Sequence, residues 1–520
     1  MNKSDIRKVI SESILADGMS PVIDLKKSHG SWLVDKVTGK EYLDLFSMFA
    51  SLSVGYNHPY VVEQSERLKV AAINKPTNSD VYSQEMAEFV HTFKRVAQPD
   101  YLPLTFFIEG GGLAVENALK AAFDWKRRKN LAKGSSAKGE KVIHFQQCFH
   151  GRTGYTMSLT DSPDKRKTMY FPKFDWPRIT NPKITFPLEE NLDHIHKLES
   201  KAMEEIKDAI NANPDNIASI IIEPIQGEGG DNHFRCEFMQ GLRQIADEND
   251  IILIYDEVQT GVGVTGKMWA HQHFSNEDCS TSECQCGDGL LAKPDIISFG
   301  KKTQVCGVAA STRFDEVEDN VFRESSRINS TWGGSLVDMV RLTIYLELIE
   351  KENLVEKAAQ TGLFLQESLH NLQNEFPNLV SNARGKGLYC AFDLPSSEDR
   401  DKLANLLLDE GSILLGSGNY SIRFRPHLNV TEDDINQPEE AVEESEVSEN
   451  EETVDEATED RVEEATADEQ EAVEETKEEV AEDETVEQDV VDEETVAETE
   501  QTVEDSDKAD LDWLKKVIKY

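Results

Sequence analysis

The chain has no run of about 18 apolar residues, so no transmembrane helix is expected. Its first residues, Met1-Asn2-Lys3-Ser4-Asp5-Ile6-Arg7, lack the apolar stretch of a secretory signal. Positive charge is scarce. Against 99 Asp and Glu stand 54 Lys and Arg, for a formal net charge of −45 over 520 residues. A basic surface for nucleic acid is therefore not expected. Cysteines are few and odd in number, seven in all, at 148, 236, 279, 284, 286, 306 and 390. That fits reduced thiols in a cytoplasm better than a disulfide framework.

Hydrophobic residues make up only 38% of the chain, but the shortage is local. Residues 438–507 hold 34 acidic and two basic residues (Arg461 and Lys477), no aromatic, no glycine and one proline. Such a segment cannot bury enough surface to offset the entropy of ordering, and it is expected to be disordered or transiently helical. Its composition names no partner. The chain then ends in Leu511, Trp513, Leu514, Val517 and Ile518, spaced as an amphipathic helix over 508–520. Thr431 and Asp434, placed as a capping box, open a helix just before the acidic segment. The acidic segment therefore reads as an insertion ahead of a C-terminal helix.

The full length of 520 residues suits two or three structural units. Short apolar runs alternate with helix-forming stretches. Val142–Phe145, Ile217–Ile222, Ile251–Tyr255 and Asp295–Phe299 read as strands, and Ala114–Ala122 and Glu237–Asp247 as helices. This predicts an α/β fold with a mainly parallel sheet. Residues 335–437 read as a smaller α+β domain, with a long helical pattern over 335–375 and strands at Gly387–Phe392 and Ile422–Phe424. Residues 1–60 are expected to join that smaller domain, leaving 61–334 as the large one.

In such sheets ligands bind beyond the carboxyl ends of the strands. Gly110-Gly111-Gly112 follows the apolar Phe106-Phe107-Ile108 and opens a helix, which makes either an anion cradle or merely a tight turn. Asp256 closes a strand, where a buried carboxylate can hold a protonated ring nitrogen, cap a helix or pair with a cation. Gly300-Lys301-Lys302 follows another strand. A lysine there can have a lowered pKa and act as a nucleophile, or be a plain surface cation. A phosphate cradle, a strand-end Asp and a strand-end Lys are together the three anchors that pyridoxal phosphate needs.

Five segments carry a family resemblance: Gly55-Tyr56-Asn57-His58-Pro59, Ile221 to Gly230 (IIEPIQGEGG), Asp256-Glu257-Val258-Gln259-Thr260-Gly261, Asp295, and Phe299-Gly300-Lys301. They resemble the class III (subgroup II) pyridoxal-phosphate aminotransferases over about residues 20–437 and 508–520. The resemblance implies a fold type I enzyme that binds pyridoxal 5′-phosphate and works as a homodimer with shared active sites. It implies Lys301 as the Schiff-base lysine and proton shuttle, with Lys302 its competitor by position. Asp256 would hold the pyridine nitrogen, Gln259 would bond the ring hydroxyl, and Phe149 would stack on the ring. Gly111 and Gly112 would cradle the phosphate, although three glycines replace the family's usual Ser-Gly-Ser/Thr. Thr331 would reach the phosphate of the other subunit.

Within the family, four stretches are most similar to the members that take the terminal amine of L-lysine. They are Phe171–Arg178, Asp231–Arg235, Lys301–Gly307 and Asn329–Gly334. Enzymes of 4-aminobutyrate share only parts of them, and ornithine is a further alternative. A non-catalytic, aminotransferase-like interaction protein is the reading from another class. An enzyme that takes lysine's terminal amine and then returns an amine to 2-oxoglutarate must grip carboxylates at two distances. Arg152 and Arg423 match the family's two grips, and Glu228 matches the residue that masks the second. Gln259, Asn329 and Ser330 are candidates for the lysine head group. Cys279, Cys284 and Cys286, near His271 and His273, lack the paired spacing of a zinc site and read as loop thiols, so no metal is expected.

Overall fold

The computed structural model describes residues 2–275 and 292–436. Cys279, Cys284, Cys286, the acidic segment 438–507 and the helix expected at 508–520 lie outside the described residues. Two short strands near the N-terminus, β1 (Trp32–Val34) and β2 (Glu41–Asp44), pair antiparallel. The large sheet follows, built from β3 (Leu104–Ile108), β4 (Lys141–Phe145), β5 (Arg178–Ile179), β6 (Ile217–Ile222), β7 (Ile252–Asp256), β8 (Ile296–Phe299) and β9 (Cys306–Ala310). Their order across the sheet is β3-β9-β8-β7-β6-β4-β5. Every pairing is parallel except those of β9, which runs antiparallel to both β3 and β8. The sheet is thus mainly parallel, as expected, with one reversed strand that no periodicity marked. Strands β6, β7 and β8 are buried on both faces, which is why they read as unbroken Ile, Leu and Phe runs rather than alternating ones.

Helices cover the sheet. Gly111–Ala132 is longer than the stretch its composition marked and lies across β6, β8 and β9. Cys236–Glu248 packs on β6 and β7. The pattern over 335–375 is two helices, Leu336–Glu352 and Leu354–Glu375, rather than one. Asn353 separates them in the left-handed region at φ 54°, a conformation that asparagine adopts more readily than most residues.

The smaller sheet has the order β10 (Ser381–Lys386), β11 (Tyr389–Asp393), β14 (Ser421–Phe424), β13 (Leu415–Ser417), all antiparallel. β12 (Ser412–Ile413) runs parallel to β2 instead, so the two N-terminal strands share a sheet with a strand from the C-terminal part of the described chain. At the end of the described chain the capping box is formed. Thr431 Oγ1 accepts from Asp434 N at 3.0 Å, and Thr431 N donates to Asp434 Oδ2 at 2.9 Å.

The last residue of β8 anchors the loop that carries Lys301. Phe299 is fully buried, with its ring 5.4 Å from Phe93, 5.9 Å from Trp269 and 6.0 Å from Phe107. Phe299→Ala is expected to destabilise the protein by roughly 3–5 kcal/mol, the usual cost of an aromatic cavity. A matching fall in the denaturant midpoint would be the check.

Candidate active site

The parallel strands bring their carboxyl ends to one edge, and a cleft of about 500 Å³ opens there. Gly111 and Gly112 come from the turn after β3, and Phe149 to Arg152 from the loop after β4. Glu223 and Glu228 follow β6, Asp256 ends β7, and Lys301 follows β8. Arg423 reaches in from β14 of the smaller sheet. One cleft therefore gathers nine residues expected from the sequence: Gly111, Gly112, Phe149, Arg152, Glu228, Asp256, Gln259, Lys301 and Arg423. Asn329 and Thr331 stand exposed and outside the cleft of their own chain.

The helix Gly111–Ala132 points its N-terminus into the cleft. Gly110 holds φ at 100°, and no side chain caps the helix. The first N–H groups of a helix have no partner within it, so they face the cleft as an anion site. A Cβ on Gly111 would come within 3.1 Å of Val258 Cγ1, and one on Gly112 within 3.1 Å of Thr153 Cγ2. Glycine at both positions keeps the cradle open to a phosphate.

Asp256 is almost fully buried. Its Oδ1 accepts from Val258 N and Ser298 Oγ, both at 3.1 Å, and its Oδ2 from His150 Nδ1 at 2.8 Å. Burial opposes a charge on His150, but Cys148 and the Asp256 carboxylate outweigh it and raise the imidazole well above its ordinary pKa. Three donors leave a carboxylate with about one acceptor position free, enough for a ring N–H. His150 follows Phe149 directly, but nothing in the sequence marks it as the partner of a carboxylate 106 residues away. Behind Asp256, Glu223 accepts from Phe149 N at 2.8 Å and Gly227 N at 3.1 Å. Burial lifts its carboxyl to about 7.

The two lysines separate. Lys301 lines the cleft, and its Nζ donates to Phe49 O at 3.1 Å. Lys302 points away, 1% exposed, with its Nζ on Ala50 O at 3.1 Å. Burial, with Arg423 nearby, lowers Lys301 to about 8. Burial, with Arg425 and Lys301 nearby, lowers Lys302 to about 7. Both amines are easily deprotonated, but only Lys301 faces a space that a substrate can enter.

Arg423 is buried, and its Nη2 donates to Glu228 Oε2 at 3.3 Å. The other oxygen of Glu228 accepts from Lys167 Nζ at 2.5 Å. Burial pushes the Glu228 carboxyl up, but Arg423 and Lys167 together hold it below the usual range. Lys167 carried no motif and was invisible in sequence. Arg152 lies exposed at the cleft wall, so the two guanidinium groups differ in depth and in freedom.

A model of the class-III aminotransferases matches residues 14–445. The chain belongs to the class-III aminotransferases. It is 49% identical over 435 residues to the L-lysine-epsilon aminotransferase of Mycobacterium tuberculosis, covering 83% of this chain and 93% of that protein. A solved structure of lysine aminotransferase from M. tuberculosis superposes with a TM-score of 0.79 at 48% identity, covering 84% of this chain and 96% of that one. The mitochondrial 4-aminobutyrate aminotransferase of Sus scrofa is 33% identical over 425 residues, covering 78% and 80%.

Aminotransferases of this class use pyridoxal 5′-phosphate, and the residues present fit it. The uncapped glycine turn suits the phosphate, the free acceptor position of Asp256 suits the ring nitrogen, and the Lys301 amine suits the aldehyde. Among the described residues no cluster of His, Cys, Asp or Glu could hold a metal, and no helix is long and apolar enough to cross a membrane.

An amine reacts only when unprotonated. In the cofactor-free protein, acylation of Lys301 should therefore rise with pH through about 8 rather than 10.5, the ordinary lysine value. Peptide mapping by mass spectrometry after pulse labelling checks this.

Proposed function

We propose that this chain transfers the ε-amino group of L-lysine to 2-oxoglutarate, giving 2-aminoadipate 6-semialdehyde and L-glutamate. The observation that carries the reading is the Glu228–Arg423 pair inside the cleft, with a second arginine, Arg152, at its wall. The greater similarity to lysine than to 4-aminobutyrate enzymes supports it.

Pyridoxal phosphate, when bound, supplies an aldehyde and an electron-withdrawing ring. The N–H groups of Gly111 and Gly112 would take its phosphate, Phe149 would stack on the ring, Asp256 would hold the ring nitrogen, and Gln259 would bond the ring hydroxyl. His150 and Ser298 keep the Asp256 carboxylate aimed. Lys301 Nζ takes the proton from the ε-carbon of lysine and returns one later in the half-reaction. Its lowered pKa suits an amine that must alternate between the two states.

Specificity follows from the arginines. Arg152 binds the distant α-carboxylate of lysine, with Gln259 assisting, while Arg423 is neutralised by Glu228. A 2-oxo acid brings its carboxylate much closer to the reacting carbon. Glu228 Oε2 then leaves Arg423, while Lys167 keeps hold of Oε1, and Arg423 takes the substrate carboxylate through two parallel bonds. Asn329 and Thr331, exposed on their own chain, serve the cleft of a second copy in a homodimer: Thr331 the phosphate, Asn329 the lysine head group. A cytoplasmic location belongs to the same reading, since Cys148, Cys306 and Cys390 are buried thiols.

A donor screen with 2-oxoglutarate tests the reaction. L-lysine should give the highest kcat/KM, and a higher value for 4-aminobutyrate or L-ornithine would sink the proposal. Glu228→Ala should unmask Arg423 and raise the ratio of α-amino to ε-amino donor turnover by roughly tenfold or more, given the strength of a charge-assisted bond. An unchanged ratio would leave Glu228 with a structural role only.

A further inference from the structure

Gln259 lines the cleft with half of its amide already committed. Its Oε1 accepts from Tyr389 Oη at 2.8 Å and from Arg425 Nε at 3.3 Å. Arginine has no acceptor, so the atom it faces must be the oxygen. That fixes which way round the amide sits, a choice that carbon, nitrogen and oxygen positions alone leave open. Among the described residues nothing accepts from the Gln259 nitrogen.

The two donors are themselves locked. Arg425 is 2% exposed, and its Nη2 donates to the fully buried Asp231 Oδ1 at 2.5 Å. Its guanidinium carbon lies 3.2 Å from the centre of the Tyr389 ring, which is fully buried as well. Gly227 closes the oxygen side. A Cβ there would lie 2.1 Å from Gln259 Oε1 and 2.5 Å from Tyr389 Oη. Rotating the amide would set the –NH₂ group against two donors and leave both without an acceptor in a buried site, which is unfavourable.

We infer that Tyr389 and Arg425 are positioning residues that hold the Gln259 amide with its nitrogen toward the cleft, so that Gln259 acts there only as a hydrogen-bond donor. The inference rests on the reading of Gln259 as a cofactor contact and deepens it. Both acceptor positions of Oε1 are filled, so the partner in the cleft must be an oxygen: the ring hydroxyl oxygen of the cofactor, or the carboxylate of a substrate. An ammonium group finds no acceptor at Gln259. The arrangement also explains why Arg425, two residues from Arg423 along the same extended segment, is no third carboxylate grip. Its three nitrogens are engaged by Gln259, the Phe424 carbonyl and Asp231.

The test is the affinity of the cofactor-free, full-length protein for pyridoxal phosphate, read by tryptophan quenching. Gln259→Ala and Tyr389→Phe should each weaken binding, by roughly three- to tenfold for one lost hydrogen bond. Tyr389→Phe keeps the ring under Arg425, so the melting temperature of the cofactor-free protein should stay near that of the parent. If Tyr389 acts through Gln259, the double variant should match Gln259→Ala to within about twofold. Gln259→Glu keeps an acceptor for both donors but cannot donate, so it should bind as weakly as Gln259→Ala. Multiplying effects in the double variant, a silent Tyr389→Phe beside a weakened Gln259→Ala, or parental affinity in Gln259→Glu would each overturn the inference and leave the cofactor role of Gln259 standing. Parental affinity in Gln259→Ala would overturn that role and the inference with it.

Discussion

Three strands that bury both faces set the position of the central polar residues of the cleft, Glu223, Asp256 and Lys301. β6, β7 and β8 lie side by side, parallel and fully covered, so their carboxyl ends meet one edge in fixed register. Ile254 pairs with Ile296, and Asp256 with Ser298. Because Asp256 is the pairing partner of Ser298, the Ser298 hydroxyl reaches its carboxylate, and Lys301 emerges three residues further on. A register slip of one residue would turn every side chain to the opposite face. The aromatic cluster around Phe299 stiffens this edge from below, and the uncapped helix from Gly111 supplies the anion site beside it.

The second theme is charge kept in reserve. Burial is costly for any ion, and the buried charges of Arg423 and Asp256 each have a partner of opposite charge. Arg423 is paired with Glu228, which Lys167 also holds. Asp256 is paired with His150. Lys301 and Lys302 have carbonyls rather than carboxylates as their hydrogen-bond partners, so burial and the neighbouring arginines lower their pKa values with no carboxylate bonded to either amine to offset them. A salt bridge to either lysine would have had the opposite effect, holding the amine protonated and inert.

Those carbonyls come from a strained turn. Ser47, Met48, Phe49 and Ala50 all have positive φ, from 47° to 63°. Left-handed backbone costs non-glycine residues roughly 1–2 kcal/mol each, so four in a row need firm support. The Asp44 carboxylate supplies it by accepting from Phe46 N at 3.0 Å and Ser47 N at 2.7 Å. The lysine loop completes it, with Gln304 Nε2 on Ser51 O and Ser53 Oγ on Lys302 O. Lys301 has a positive φ of 53° as well. Two strained segments thus brace each other where the Lys301 amine enters the cleft.

Four parallel strands of the large sheet, the order of the chemical residues and the strand ends that carry them were legible in the chain. Doubly buried strands and glycine turns leave signals within a few residues, and Lys301, Asp256, Gly111 and Glu228 sat inside such segments. The reversed β9 and the helix break at Asn353 escaped, because direction and a single left-handed residue have no periodic signature. Only the tertiary structure decided the pairings. It set His150 on Asp256, Lys167 on Glu228, and Tyr389 with Arg425 on Gln259, across 106, 61, 130 and 166 residues of chain. It also parted Lys301, which lines the cleft, from Lys302, which does not, although the two are neighbours in sequence. Side-chain direction at that loop depends on the 47–50 turn, folded some 250 residues away, whose carbonyls hold one amine in the cleft and draw the other out of it.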